Sequence, residues 1–194
     1  IIIIFEASAD QDTIINLTNH NYWNFHGHNS FYQNITDHKV KIVSKLYCEN
    51  DNNSIPTGKI IDAEGTKYDL TKSTIIEDSF LDSGGIDNNY SLLGSDINNP
   101  VAQIFSNKTG MGVEYSTNQN GIQFYTGNMM NQKYNGKYNK EYGLQYGLCL
   151  ETQNFPNAIN NSNFPSSILK KGEIYNSFTK IKLRNDLLKV KNEN

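Results

Sequence analysis

The chain has 194 residues, a formal net charge of −3, and 37% hydrophobic against 19% charged residues, the length of one domain. Asn fills much of the apolar deficit, yet 9 Phe, 12 Tyr and one Trp can build a core, which excludes disorder throughout. The mild acidity argues against nucleic acid as a partner, and the longest apolar run, Ile1 to Phe5, is far short of the ~20 residues of a membrane helix.

Short β-branched or aromatic runs with period-two alternation recur along the chain, separated by Asn, Gly and Asp clusters. They predict strands over Ile1–Ser8, Thr13–Trp23, Lys39–Cys48, Val101–Asn107, Gly112–Thr117, Gly121–Thr126, Tyr146–Thr152 and Tyr175–Leu183. Asn118-Gln119-Asn120-Gly121 reads as a tight turn, because Asn and Gly tolerate positive φ. Long connections fall at Asn24–His38, Asn50–Gly58, Leu81–Asn89 and Asn128–Tyr142, and 184–194 reads as a polar, solvated tail. No window sustains a helical apolar period. The expected fold is all-β, an antiparallel sandwich or barrel.

Two cysteines, Cys48 and Cys149, cannot make a disulfide framework. No basic leader with an apolar stretch and cleavage site is visible. Asn16-Leu17-Thr18, Asn34-Ile35-Thr36 and Asn107-Lys108-Thr109 would all be glycan acceptors in a secreted protein. A cytoplasmic location is expected. The β-branched run at Ile1, with no initiator Met, reads as a strand already under way, so preceding sequence is expected.

Two segments concentrate chemistry. The first, from Asn16 to His28, carries His20, His26 and His28. A metal reading of the three finds no standard zinc spacing and no acidic or thiol ligand nearby in sequence, so no metal is expected. His26 and His28 read as a solvated loop. His20 falls in the run Thr13–Trp23, where alternation puts it on one face with Thr18 and Tyr22; alone, it reads as a hydrogen-bonded core or surface histidine. The second segment, Tyr146 to Asn157, puts Leu148 and Leu150 on one face of a strand and Gly147, Cys149, Glu151 and Gln153 on the other. A carboxylate there would be partly desolvated, which raises its pKa toward use as a proton acceptor, or it would be an exposed edge Glu. Cys149 reads as a packed thiol without an activator. Gly84-Gly85-Ile86-Asp87-Asn88-Asn89 is turn-like and lacks the helix and Lys of a phosphate loop. Lys133, Lys137 and Lys140, interleaved with Tyr134, Tyr138 and Tyr142, read as a soluble loop rather than a single-strand platform.

These segments together resemble the aldose 1-epimerase (galactose mutarotase) family. Asn16-Leu17-Thr18-Asn19-His20-Asn21-Tyr22-Trp23-Asn24 is similar to the family's Asn-Leu-Thr-Asn-His-Ser-Tyr-Phe-Asn. Ile55-Pro56-Thr57-Gly58, Tyr68-Asp69-Leu70 and the Gly84–Tyr90 segment follow in family order. So do Gly121–Asn128, Leu150–Asn160, Phe164-Pro165 and Lys171–Tyr175. The resemblance implies an antiparallel β-sandwich of the galactose mutarotase type, incomplete because the N-terminal strands are missing, with a sugar cleft on one concave face. It implies an isomerase that interconverts the α and β anomers of galactose, glucose and related aldohexoses without a cofactor.

By alignment Glu151 takes the position of the family's general base and His20 that of its general acid. Asp87 and Gln123 align with residues that hold sugar hydroxyls, and an aromatic from Tyr22, Trp23 or Phe155 is expected at a sugar face. Asn88 stands where the family usually has His. The resemblance covers the C-terminal part of the family pattern, read here as residues 1–183 of a single sandwich domain. The pattern's early strands, Asn-Arg pair and further histidine have no counterpart in the chain. A fragment of a longer enzyme is one expectation. The alternative is a truncated, inactive sugar-binding or structural remnant. A sugar-phosphate mutarotase would need a basic pocket, and Arg184 reads as solitary.

Overall fold

The computed structural model describes residues 1–28, 34–77, 81–130 and 135–185. In chain order the strands are β1 (Ile2–Ser8), β2 (Thr13–Ile14), β3 (Tyr22–Trp23), β4 (His38–Ile42), β5 (Leu46–Asn50), β6 (Pro56–Asp62) and β7 (Thr74–Ile75). There follow β8 (Asp87–Ser91), β9 (Ala102–Ser106), β10 (Gly112–Thr117), β11 (Gly121–Tyr125), β12 (Leu148–Gln153), β13 (Ile168–Leu169) and β14 (Ile174–Arg184). Two antiparallel sheets face each other. One runs β1-β14-β10-β9-β4-β7 and the other β3-β12-β11-β8-β5-β6, with β13-β2 as a small separate pair.

The alternation of the sequence explains the core between the sheets. Val40, Ile42, Ile104, Val113, Tyr115 and Ile181 point inward from the first sheet, and Tyr90, Ile122, Phe124, Leu148 and Leu150 from the second. Each is 2% exposed or less, so these side chains supply the apolar burial that holds the sandwich together. Trp23 joins the layers by a polar tie, its Nε1–H donating to the Tyr115 hydroxyl at 2.7 Å. Cys48, Phe155, Ala158 and Phe164 form a smaller cluster of their own.

Six predicted strands appear within two residues of their expected ends, Gly112–Thr117 without change. Two others break. In Thr13–Trp23 only β2 and β3 are strands, because the Asn16 side chain takes over local pairing: it accepts from the Asn154 N–H at 2.8 Å and donates to its carbonyl at 3.0 Å. In Lys39–Cys48 the chain leaves β4, turns where Ser44 Oγ accepts the Leu46 N–H at 3.1 Å, and enters the other sheet as β5. Two expected loops contain strands. β6 starts at Pro56 and lies on a sheet edge, where a missing N–H is tolerated. β8 is rich in Asp and Asn, yet it sits inside the sheet between β11 and β5.

Arg184, expected in the tail, instead ends β14 and reaches Glu114 Oε1 at 2.9 Å. Of the expected tail, residues 186–194 lie outside the described residues. So do parts of two expected loops, 29–33 and 131–134, the latter holding Lys133 and Tyr134.

Candidate active site

The outer face of the second sheet carries the polar residues that its inner face cannot. Register stacks them in rows. Asp87 pairs with Tyr125, Tyr125 with Cys149, and Cys149 with Tyr22, giving one row across β8, β11, β12 and β3. Two residues along, Asn89, Gln123 and Glu151 form the next. Side chains two apart on a strand share a face, so both rows look the same way. His20 precedes β3 without being part of a strand, and its Nε2 lies 3.2 Å from Glu151 Oε1. The strand expected through His20 does not form, yet its side chain shares a face with Tyr22 as expected.

His20, Asp87, Gln123 and Glu151 all line one cavity of about 330 Å³, at the lower end of small-molecule sites. Tyr22, Asn50, Tyr125 and Gln153 line it too. Gln123 Nε2 donates to Asp87 Oδ1 at 2.7 Å, which fixes the carboxylate. Asn50 Nδ2 donates to the Asp87 carbonyl at 2.8 Å. The Gln123 Oε1 and Asn50 Oδ1 acceptors are buried with no hydrogen-bond partner among the described residues. Leaving such acceptors unpaired costs free energy that a bound donor would recover.

Glu151 is 7% exposed, which rules out the exposed-edge reading. Burial pushes its pKa up, the neighbouring His20 opposes this, and the negative charge of Asp87 adds to it. Burial likewise raises the Tyr22 and Tyr125 phenols, so both stay neutral at ordinary pH. Of the three aromatic candidates, Tyr22 is half exposed in the cavity and stacks on His20 with ring centres 4.9 Å apart. Trp23 turns inward to Tyr115, and Phe155 is buried in the smaller cluster. A larger cavity of about 570 Å³ shares Tyr22 with the first and is lined by Trp23, Tyr142 and Tyr146 among others. None of the four aligned polar residues borders it.

The other histidines part company with His20. His26 is buried, not solvated: its ring centre is 4.5 Å from that of His38, and its Nε2 is 3.7 Å from Asp37 Oδ2. His28 is half-buried, 2.8 Å from the Tyr142 hydroxyl. In their place the fold brings Cys149 and Glu151 to His20, with one ligand atom of each within 4.8 Å of the others. Sequence spacing could not show this, since His20 and Cys149 lie 129 positions apart. Asn88 faces away from the row of Asp87, and its Nδ2 donates to the Cys48 carbonyl at 3.0 Å. Asn50 was missed because a lone Asn in an Asn-rich loop carries no signal.

The sequence model of the family described as aldose 1-epimerase matches residues 1–182. A mouse protein named galactose mutarotase is 40% identical over 183 residues, covering 92% of this chain and 52% of its own length. A Streptococcus thermophilus protein named aldose 1-epimerase is 30% identical over 179 residues, 90% of this chain and 50% of its own. The chain thus spans about half the length of the relatives it matches. Among solved structures, a GalM/aldose epimerase homologue from C. elegans superposes with a TM-score of 0.85 at 24% identity, covering 95% of this chain and 55% of that one. Galactose 1-epimerase from Lactobacillus acidophilus gives 0.72 at 22%, covering 94% and 53%. At these identities the superpositions establish the fold, a β-sandwich of the galactose mutarotase type. Because the family model matches this chain over residues 1–182 of its 194, the chain belongs to the aldose 1-epimerase family.

Proposed function

We propose that the cavity on the second sheet binds an aldohexose such as galactose or glucose and interconverts its anomers by acid–base ring opening. The observation that carries this is the contact of a buried carboxylate, Glu151, with an imidazole, His20, in a cavity also lined by Asp87 and Gln123, the two residues expected from the family resemblance to hold sugar hydroxyls. Glu151 takes the proton of the anomeric hydroxyl while His20 delivers one to the ring oxygen. The C1–O5 bond breaks and the free aldehyde forms. Rotation about C1–C2 turns the carbonyl, O5 attacks its other face, and both protons return to their first owners. No electrons are gained or lost, so the reaction needs no redox partner.

Acid and base are close neighbours, 3.2 Å apart. Chemistry explains why that suffices: the anomeric and ring oxygens are both bonded to C1, so the groups that serve them must be close. The raised pKa of Glu151 makes it a stronger base once ionised. Asp87 and Gln123 orient the hexose, which supplies the positional part of the rate. Tyr22 offers its ring to an apolar sugar face. The free, buried thiols of Cys48 and Cys149 support a cytoplasmic location. No helix among the described residues is long and apolar enough to cross a membrane, and the small net charge supports no nucleic-acid partner.

The test is polarimetry of freshly dissolved α-galactose with the purified chain. Mutarotation faster than in buffer, and lost in Glu151→Gln, supports the proposal. A rate no greater than in buffer overturns it in favour of a sugar-binding remnant.

A further inference from the structure

We propose that His20, Cys149 and Glu151 form a binding site for a thiophilic divalent cation, Zn²⁺ being the natural candidate, and that its occupation shuts the acid–base pair down. Cys149 and Glu151 come from β12 and His20 from the irregular segment before β3, which the Cys149–Tyr22 pairing brings alongside. Their ligand atoms already lie within 4.8 Å of one another, and His20 Nε2 to Glu151 Oε1 is 3.2 Å. Two ligands each about 2.0 Å from a tetrahedral zinc are themselves ~3.3 Å apart, so the imidazole and carboxylate stand close to coordination spacing. The third ligand needs a shift of roughly 1 Å. His20 is exposed and outside the strands, so its side chain has room to adjust, while Cys149 and Glu151 lie in β12.

Charge favours the same assignment. A neutral imidazole, a thiolate and a carboxylate sum to −2 and cancel a divalent cation, leaving no net charge to bury. Binding releases the thiol proton to solvent as the S–metal bond forms, with no change of oxidation state. Hard cations such as Mg²⁺ and Ca²⁺ have little affinity for sulfur and would not displace that proton. Zinc would tie up the lone pairs that both proton transfers use. Metal binding stands on the geometry alone, whereas inhibition rests on the function proposed above.

The experiment uses Co²⁺ as the probe, titrated into the purified chain under reducing conditions. Expected are one equivalent bound, a near-ultraviolet thiolate-to-cobalt band with intense tetrahedral visible absorption, and displacement of both by Zn²⁺. Cys149→Ser abolishes the sulfur band, whereas Cys48→Ser keeps it. His20→Gln, a change at an exposed residue, keeps the fold and weakens cobalt binding ~10-fold or more. A weak octahedral spectrum without the sulfur band overturns the site, as does a band that survives Cys149→Ser or unchanged affinity in His20→Gln. In a parallel polarimetric arm, Zn²⁺ suppresses mutarotation and a chelator restores it. Cobalt binding as described in a chain that shows no mutarotation would sink the catalytic reading and leave the metal site standing. Mutarotation indifferent to bound zinc would overturn the inhibitory role.

Discussion

His20 Nε2 and Glu151 Oε1 lie 3.2 Å apart, although one residue belongs to an irregular segment near the start of the chain and the other to the middle of β12. The pairing sets the expected pH behaviour. The base must be ionised, and burial together with Asp87 favours its protonated form. Activity therefore falls with decreasing pH above the range of an exposed Glu, whose pKa is ~4.3. Asp87→Asn removes a negative charge that faces Glu151 and moves this acid limb to lower pH, even as it weakens sugar binding. Mutarotation rates across pH for the two proteins check it.

The same raised pKa has a cost for the fold. A group that binds its proton more tightly folded than unfolded adds stability below its unfolded pKa and loses it as pH rises through the folded value. Ionised Glu151 is thus a burden at neutral pH. Glu151→Gln lowers the rate by ~10²–10⁴-fold and raises the melting temperature at pH 7. Melting curves at pH 7 and below the free carboxylate range test the sign, because the gain vanishes in acid.

His38 acts in the opposite sense. It is fully buried in β4, its Nε2 accepts the Phe25 N–H at 2.8 Å, and its Nδ1–H donates to the Ile35 carbonyl at 3.0 Å. Desolvation, helped by the neighbouring His26, pushes its pKa down to about 4 against the pull of Asp37. Native His38 is neutral, so its contribution is present above ~6.5 and lost as pH falls toward 4. That amounts to up to ~3 kcal/mol. Urea unfolding at pH 7 and pH 4.5 should show less acid destabilisation in His38→Gln than in the parent.

Substrate contacts separate from proton transfer. Tyr22→Ala and Asn50→Ala remove a stacking ring and an unsatisfied buried acceptor from the cavity wall. Each should raise KM for galactose ~10-fold with a smaller effect on kcat, since neither moves a proton. A kcat loss as large as that of Glu151→Gln would contradict these roles.

The sandwich itself is tested at Phe124, which is wholly buried between the sheets on the strand that carries Gln123. Phe124→Ala should destabilise by ~3–5 kcal/mol in urea unfolding. Trp23→Phe removes the indole N–H with one of the two fused rings, orphaning the Tyr115 hydroxyl and leaving a small void, so a loss of ~1–3 kcal/mol or more is expected.

The local pattern made Gly112–Thr117 and the two faces of β12 legible, because apolar residues at every second position can be buried on only one side of a sheet. Glu151 could be picked out for the same reason: its neighbours Leu148 and Leu150 must face the core, so it must face away. Asp87–Ser91 was illegible. Its Asp and Asn residues favour turns in isolation, and only pairing with both β5 and β11 makes them a strand. His20 reached its place for a reason unlike the one its alternation gave, since the Asn16 side chain had displaced the ladder.

By itself, then, the sequence determined the all-β class, the apolar inner face and the family, because these depend on short-range periodicity and on motif strings that keep their order. The tertiary structure alone decided that Cys149 joins Glu151 and His20, that Asn50 reaches the cavity, and that His26 is buried against His38. Contacts of that kind are made across sheets and loops between residues far apart in the chain. They are fixed by strand register and sheet order, which period-two alternation leaves open.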